Sequence, residues 1–311
     1  MKTAKPICKV GFCIPKIRVA NVSVIIPTYR RARLLGEALK SVLEQSFTDF
    51  EVIIVDDHSE DDGATLKVVK AFGEARFKYV YLHANRGPAG ARNAALPHCH
   101  GEFLSFLDSD DLFRPCKLES HAALLRANPH VAMVYSDEYV VTNDGHLSAG
   151  AVRGNRILPS GFIAKEFFME SFIATMTVTL RRAVFAEMGG FDETLAWNED
   201  DDLWFRIMMK YPVICSEYVS GIRRLHDSNM SRDRDRMVWH QLRCIANYIN
   251  VYADFMHVNH DLAVGRLKSI LRSYLLGKLG SRRLPSPTLL AFYLRTTRQL
   301  HGMKRKERLP A

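Results

Sequence analysis

Asp108, Asp110 and Asp111 set three carboxylates within four positions, directly after the run Phe103-Leu104-Ser105-Phe106-Leu107. Carboxylates this close raise one another's pKa unless a cation lies among them. A hard divalent ion, shared by one or two carboxylates and the oxygens of a substrate phosphate, is one resolution. An acidic turn capping the helix after Pro115 is the other. The apolar run reads as a buried strand, and open α/β sheets bind ligands beyond the carboxyl ends of their strands. Placement selects this pair rather than spacing, because Asp-x-Asp recurs at Asp200-Asp201-Asp202 and Asp233-Arg234-Asp235. The chemistry expected is metal-assisted transfer from a phosphorylated donor.

The elements that must position these groups alternate. Val22–Ile26 reads as a first strand, and Leu35, Ala38, Leu39, Val42 and Leu43 mark one face of a helix. Val52–Val55 is continuously apolar, as a strand buried on both faces would be. A short helix over Thr65–Ala71, a strand over Phe77–Leu82, a loop from Asn85 to Gly90 and a helix opening near Ala91 follow. This order specifies a mostly parallel sheet with right-handed crossovers. The strand ends carry groups useful to a nucleotide: the ring of Tyr29, the carboxylates of Asp56 and Asp57, and the guanidinium of Arg92. Each also has an ordinary reading, as turn residue, helix cap or surface ion pair.

Farther on, Pro115–Ala127 should be helical with Leu118, Ala122 and Leu125 inward, and Val131–Tyr135 a strand. Gly145–Ser160 reads as a loop, Phe162–Phe172 as a helix, and Thr175–Leu180 alternates like a strand. Gly189-Gly190 closes a helix. Glu199 to Asp202 then lie in the first turn of another, where the macrodipole favours negative charge; Leu203, Trp204 and Ile207 are its core face. Beyond about residue 230 the chain looks helical, with Leu267, Leu271, Tyr274 and Leu275 as one apolar stripe.

A chain of 311 residues with 47% hydrophobic and 25% charged content is ordinary for a soluble globular protein. No apolar run approaches the roughly 18 residues of a membrane span, and the N-terminus lacks the apolar centre of a signal peptide, so a cytoplasmic location is expected. Six scattered cysteines without a C-x-x-C pair argue against a disulfide framework or structural zinc. The net charge of +9 is uneven: residues 1–20 carry +5, residues 281–311 carry +7, and the remainder is −3. Basic ends suit an anionic membrane surface. The aromatic-basic interleaving of a nucleic-acid platform is missing, so no nucleic-acid partner is expected.

The sequence resembles glycosyltransferase family 2, whose members share the GT-A fold. The resemblance rests on Val22–Tyr29, Ile54-Val55-Asp56-Asp57-His58-Ser59, Gly87–Asn93, Phe106–Asp111 with Pro115, Gly189-Gly190-Phe191-Asp192, and Glu199-Asp200 with Leu203-Trp204 and Arg206. It covers about residues 21 to 226. It implies an α/β GT-A domain over 21–228, with a nucleotide-binding half (21–115) and an acceptor half (116–228). A basic extension (1–20) precedes it and a helical region with a basic tail (229–311) follows.

By the same resemblance Pro27, Tyr29, Asp57, Arg92, Asn93 and Asp108 bind the nucleotide sugar. Asp110 and, in Arg224-Leu225-His226-Asp227-Ser228-Asn229, His226 hold Mn²⁺ or Mg²⁺; Asp200 is the catalytic base. The extra acids Asp201 and Asp202 leave open which carboxylate serves. The implied reaction is inverting transfer from a nucleoside-diphosphate sugar, most simply a UDP-sugar, to a glycan or lipid-linked acceptor in cell-surface polysaccharide synthesis. Leu289, Leu290, Phe292, Tyr293 and Leu294, ahead of Lys304-Arg305-Lys306, suggest peripheral contact with the inner face of the cell membrane. Three alternatives share parts of the pattern. A polyprenyl-phosphate sugar synthase tends to carry Asp-Ala-Asp-Leu-Gln, unlike Asp108–Leu112. A nucleotidyltransferase usually has a glycine-rich loop where this chain has Pro27–Arg33. An inactive nucleotide- or glycan-binding module is opposed by the intact acids at 108, 110 and 200.

Overall fold

The computed structural model describes residues 22–142, 145–148, 150–154, 156–226, 233–280 and 284–306. The basic extension 1–20, Asp227 to Asn229 of the late motif, and the side chains of Lys304 to Lys306 lie outside the described residues.

The chain runs β1 (Val22–Thr28), α1 (Ala32–Leu43), β2 (Phe50–Asp56), α2 (Ala64–Ala71), β3 (Phe77–Tyr81), α3 (Gly87–Ala95), β4 (Phe103–Phe106), β5 (Leu112–Phe113), α4 (Lys117–Ala127), β6 (Met133–Tyr135), β7 (Glu138–Val141), α5 (Ala164–Met169), β8 (Thr179–Arg181), α6 (Arg182–Glu187), α7 (Glu199–Met208), β9 (Val213–Cys215) and β10 (Gly221–Arg224). Helices α8 (Arg234–Val251), α9 (Ala253–Val258), α10 (His260–Gly280) and α11 (Pro287–Lys306) complete it. The main sheet has the order β3-β2-β1-β4-β8-β6-β9, and β5-β10-β7 form a smaller one. Strands β3, β2, β1 and β4 are parallel neighbours, whereas β8 runs antiparallel to both β4 and β6.

Both faces of the main sheet are covered. Val22, Val24 and Ile26 of β1 pack with Leu35, Leu39 and Val42 of α1, while Ile25 joins a core on the opposite face. The second core runs from Phe106 and Trp204 through to Leu242, Leu267, Tyr274 and Leu289. The C-terminal helices therefore pack on the sheet domain through the stripe read from the sequence.

Three element expectations need correction. Helix α3 starts at Gly87, not near Ala91, because Pro88 sits in its first turn, where its missing N–H costs nothing. Thr175–Leu180 is not one strand: Thr175–Thr177 forms a 3₁₀ turn, and the strand begins at Thr179. The short strands β5, β7, β9 and β10 give no alternation long enough to read. The apolar stripe of α11 is also redirected. Leu289 and Tyr293 are buried, and the ring of Phe292 packs 4.5 Å from that of Trp239.

Candidate active site

Strand β1 ends at the carboxyl edge of the sheet and delivers Tyr29 to the surface, 42% exposed, with the Arg30 guanidinium 5.1 Å from its ring centre. Pro27 stays inside β1, aligned with Val55 of β2. The end of β2 buries Asp57, whose Oδ1 accepts from the Arg86 N–H at 2.7 Å. Burial pushes the Asp57 carboxyl up from its ordinary range, and the Arg86 hydrogen bond opposes it. Asp56 is tied elsewhere, accepting from the Ser59 N–H at 2.9 Å and the Tyr79 hydroxyl at 2.5 Å. Neither carboxylate caps α2, whose first turn is held by Asp61 through Thr65.

The acidic turn follows β4. Helix α4 has Cys116 at its N-cap with no side-chain cap bond, so the carboxylates of 108–111 do not cap it. They hold cations and backbone instead. Asp108 Oδ1 accepts from Arg92 at 2.5 Å, and Asp110 Oδ2 lies 2.8 Å from His226 Nε2 and pairs with Arg31. Asp111 Oδ1 accepts from the Arg224 N–H at 2.9 Å. The Arg224 guanidinium reaches the Asp110 carbonyl, Glu37 and the Leu34 carbonyl, which fastens the turn to α1. Burial raises Asp108, with Arg92 opposing and Asp110 adding; burial also holds Asp111 well above the usual range, reinforced by Asp110 and Asp108.

Arg92 is the hub. Its side chain is 4% exposed and bridges Asp108 to Glu199, the first residue of α7, at 2.7 Å. One guanidinium between two carboxylates leaves the ionised trio with one net negative charge, and burial pushes Glu199 up to about 7, with Asp200 adding to that rise. Asp200 stands next on α7; its Oδ2 accepts from Thr175 Oγ1 at 2.5 Å and its Oδ1 from the Asp201 N–H at 2.8 Å. Leu203, Trp204 and Ile207 are fully buried, which fixes the helix that presents these acids. Asp201 turns to the other side of α7, toward a cavity of about 40 Å³ lined by Asn198, Arg266 and Tyr248 among others.

Asn93 does not join the cleft. Its side chain donates to the Phe191 carbonyl at 2.9 Å and accepts from the Phe191 N–H at 2.9 Å. A Cβ on Gly190, whose φ is +73°, would stand 2.6 Å from the Asn93 Oδ1. This side chain therefore clamps the Gly189–Asp192 turn rather than reaching a ligand beside Asp108. Sequence reasoning gave no site role to Arg31, Thr175 or Arg224, and it counted Glu199 among the clustered acids without its tie to Arg92. Arg31 carried a signal, as a cation in the loop after the first strand. Thr175 carried none, because its turn was hidden in an alternating pattern.

Among the described residues no three His, Cys, Asp or Glu side chains converge as a closed metal cage. The donor set of Asp110 and His226, one hard oxygen and one imidazole, suits an ion that completes its coordination with phosphate oxygens and water.

The profile of glycosyl transferase family 2 matches residues 23–189, more than half of the chain. The chain belongs to glycosyltransferase family 2. Within the family it is 26% identical over 252 residues to the Escherichia coli UDP-Glc:alpha-D-GlcNAc-diphosphoundecaprenol beta-1,3-glucosyltransferase WfgD, covering 78% of this chain and 93% of WfgD. It is 28% identical to an uncharacterized glycosyltransferase of Rickettsia conorii over 68% of this chain, but spans only 35% of that relative's length. The mannosyltransferase PcManGT from Pyrobaculum calidifontis, solved with GDP-Man and Mn²⁺, superposes with a TM-score of 0.58 at 20% identity, over 92% of this chain and 86% of PcManGT. The fold is GT-A, with a C-terminal helical region.

Proposed function

We propose that this family 2 glycosyltransferase moves a sugar from a nucleoside-diphosphate donor, a UDP-sugar, to a hydroxyl of a glycan or lipid-linked acceptor, with inversion at the anomeric carbon. The observation that carries the reading is the continuous chain Asp200–Glu199–Arg92–Asp108, which sets a carboxylate beside an acidic turn holding Asp110 and His226. Pro27, Tyr29 and Asp57 border the base of the donor, and Asp108 and Arg92 its ribose-diphosphate end. Asp110 and His226 would hold Mn²⁺ or Mg²⁺, which would supply positive charge against the departing diphosphate. Asp200 takes the proton of the acceptor hydroxyl as that oxygen attacks the anomeric carbon. Thr175 and the Asp201 N–H hold its two oxygens in place, so the remaining lone pairs are aimed before the acceptor arrives. One in-line displacement suffices.

WfgD supports the donor and acceptor classes, since its name gives a UDP-sugar and a diphosphoundecaprenol-linked sugar. We further propose a role in cell-surface polysaccharide synthesis, at the cytoplasmic face of the membrane. No helix among the described residues is long and apolar enough to cross a bilayer. Asp200→Asn is the decisive variant: turnover should vanish while nucleotide-sugar binding, read as a thermal shift across a panel of donors with and without Mn²⁺, persists. Full turnover in that variant would falsify the assignment.

A further inference from the structure

Residues 262–306 contain 11 Lys and Arg and not one Asp or Glu. The fold sorts them. On α10, Lys268, Arg272, Leu276 and Leu279 follow one another at intervals of four, four and three, so they share a single stripe. That stripe is exposed and lies opposite the buried residues Ala263, Leu267, Ile270 and Tyr274. Leu276 is 58% exposed and Leu279 74%. The Ser286 N–H returns to the Tyr274 hydroxyl at 2.9 Å, which folds the start of α11 back along the last turns of α10. Leu284, two residues earlier and 91% exposed, thereby sits at the same end of the bundle. Arg295 and Arg298 face outward on α11.

We infer that this end of the α10–α11 pair docks on an anionic phospholipid bilayer, with Leu276, Leu279 and Leu284 entering the headgroup layer and the surrounding cations meeting lipid phosphates. Apolar insertion and a basic field together give stable but reversible surface binding, where either alone is marginal. Other occupants fit less well. A second copy would bring an equally basic stretch against this one, since residues 262–306 hold no acid of their own and the neighbouring Asp235 is already taken up by Lys278, so like charges would repel. Nucleic acid calls for stacking rings, whereas the apolar groups displayed here are aliphatic. The inference deepens the proposal of a lipid-linked acceptor, which it rests on only for its purpose: docking would hold the enzyme where such an acceptor is found.

The full-length protein should be floated with vesicles of phosphatidylcholine alone, and of phosphatidylcholine mixed with phosphatidylglycerol. Binding is expected only to the mixed vesicles, weakening as salt is raised. The combined variant Leu276→Ser, Leu279→Ser, Leu284→Ser changes exposed positions alone and should bind at least about tenfold more weakly, with UDP binding unchanged. Leu279→Trp should show fluorescence quenched by brominated lipid beyond that of the native tryptophans. The inference fails if the native protein does not float, if the triple variant floats equally well, or if Trp emission at 279 is untouched. It also fails if the triple substitution instead turns a dimer into a monomer, or if the patch retains RNA but not vesicles. Flotation uses neither donor nor acceptor, so its failure leaves the transferase reading intact, and loss of that reading would not prevent flotation.

Discussion

Thr175 Oγ1 donates a 2.5 Å hydrogen bond to Asp200 Oδ2, joining the 3₁₀ turn before β8 to the first turn of α7. If Asp200 is the base, this bond fixes which of its lone pairs meets the acceptor. Thr175→Val keeps the shape and removes the donor. It should lower kcat by about 10- to 100-fold with little change in the KM for nucleotide sugar, and Thr175→Ser should recover most of the loss. Steady-state kinetics on the three proteins decides; native kcat in the valine variant would show that orientation through Thr175 is unimportant.

Arg92 is nearly inaccessible and neutralises carboxylates from two separate elements. Arg92→Met would leave Asp108 and Glu199 facing each other without a cation. Removing one member of a buried ion pair costs about 3–5 kcal/mol. Urea denaturation of the methionine variant should register a loss of that order, together with weaker UDP binding. Arg92→Lys should rescue only part of either, since an ammonium cannot span both partners as the planar guanidinium does.

The ion site can be probed without turnover. Asp110→Asn and His226→Ala should each weaken Mn²⁺ binding in the presence of UDP by about tenfold or more, followed by the loss of the free Mn²⁺ signal in electron paramagnetic resonance. Arg31→Ala removes a cation that pairs with Asp110 and should strengthen Mn²⁺ binding. Equal Mn²⁺ affinity in all three variants and the native enzyme would remove Asp110 from the metal site.

Burial, with Asp200 adding, pushes Asp201 up to about 7. An acid whose pKa is higher folded than unfolded binds a proton more tightly in the native state. Its contribution to stability is thus lost as pH rises from the unfolded value, near 4, through about 7. Glu199, also raised to about 7, acts in the same direction. Asp201→Asn removes one of these titrations, so its Tm should exceed the native Tm at pH 8 and approach it at pH 5. A Tm difference independent of pH would contradict this account.

Much of the fold is legible in local pattern. The continuous apolar runs of β1, β2 and β4, the spaced leucines of α1 and the acids opening α7 each carry a period or a cap that survives without tertiary context. The short strands β5 and β10, without a continuous apolar run, do not. They exist because a distant partner supplies their hydrogen bonds. The candidate site divides in the same way. Asp108 and Asp110 stand out by placement and Asp200 only through the family resemblance, whereas Asn93, marked by the same resemblance, is drawn instead to the turn at Gly190.

The amino-acid order alone determined the α/β alternation, the family and the carboxylates at the strand and helix ends, because strand burial, helix periodicity and short motifs are properties of neighbouring residues. Only the tertiary structure decided that Arg92 joins Asp108 to Glu199, that Thr175 grips Asp200, and that Leu289 and Tyr293 of α11 turn inward while Leu276, Leu279 and Leu284 at the α10–α11 end face out. Those are contacts between residues far apart in the chain. Their geometry depends on how sheet and helices close on one another, which no local period encodes.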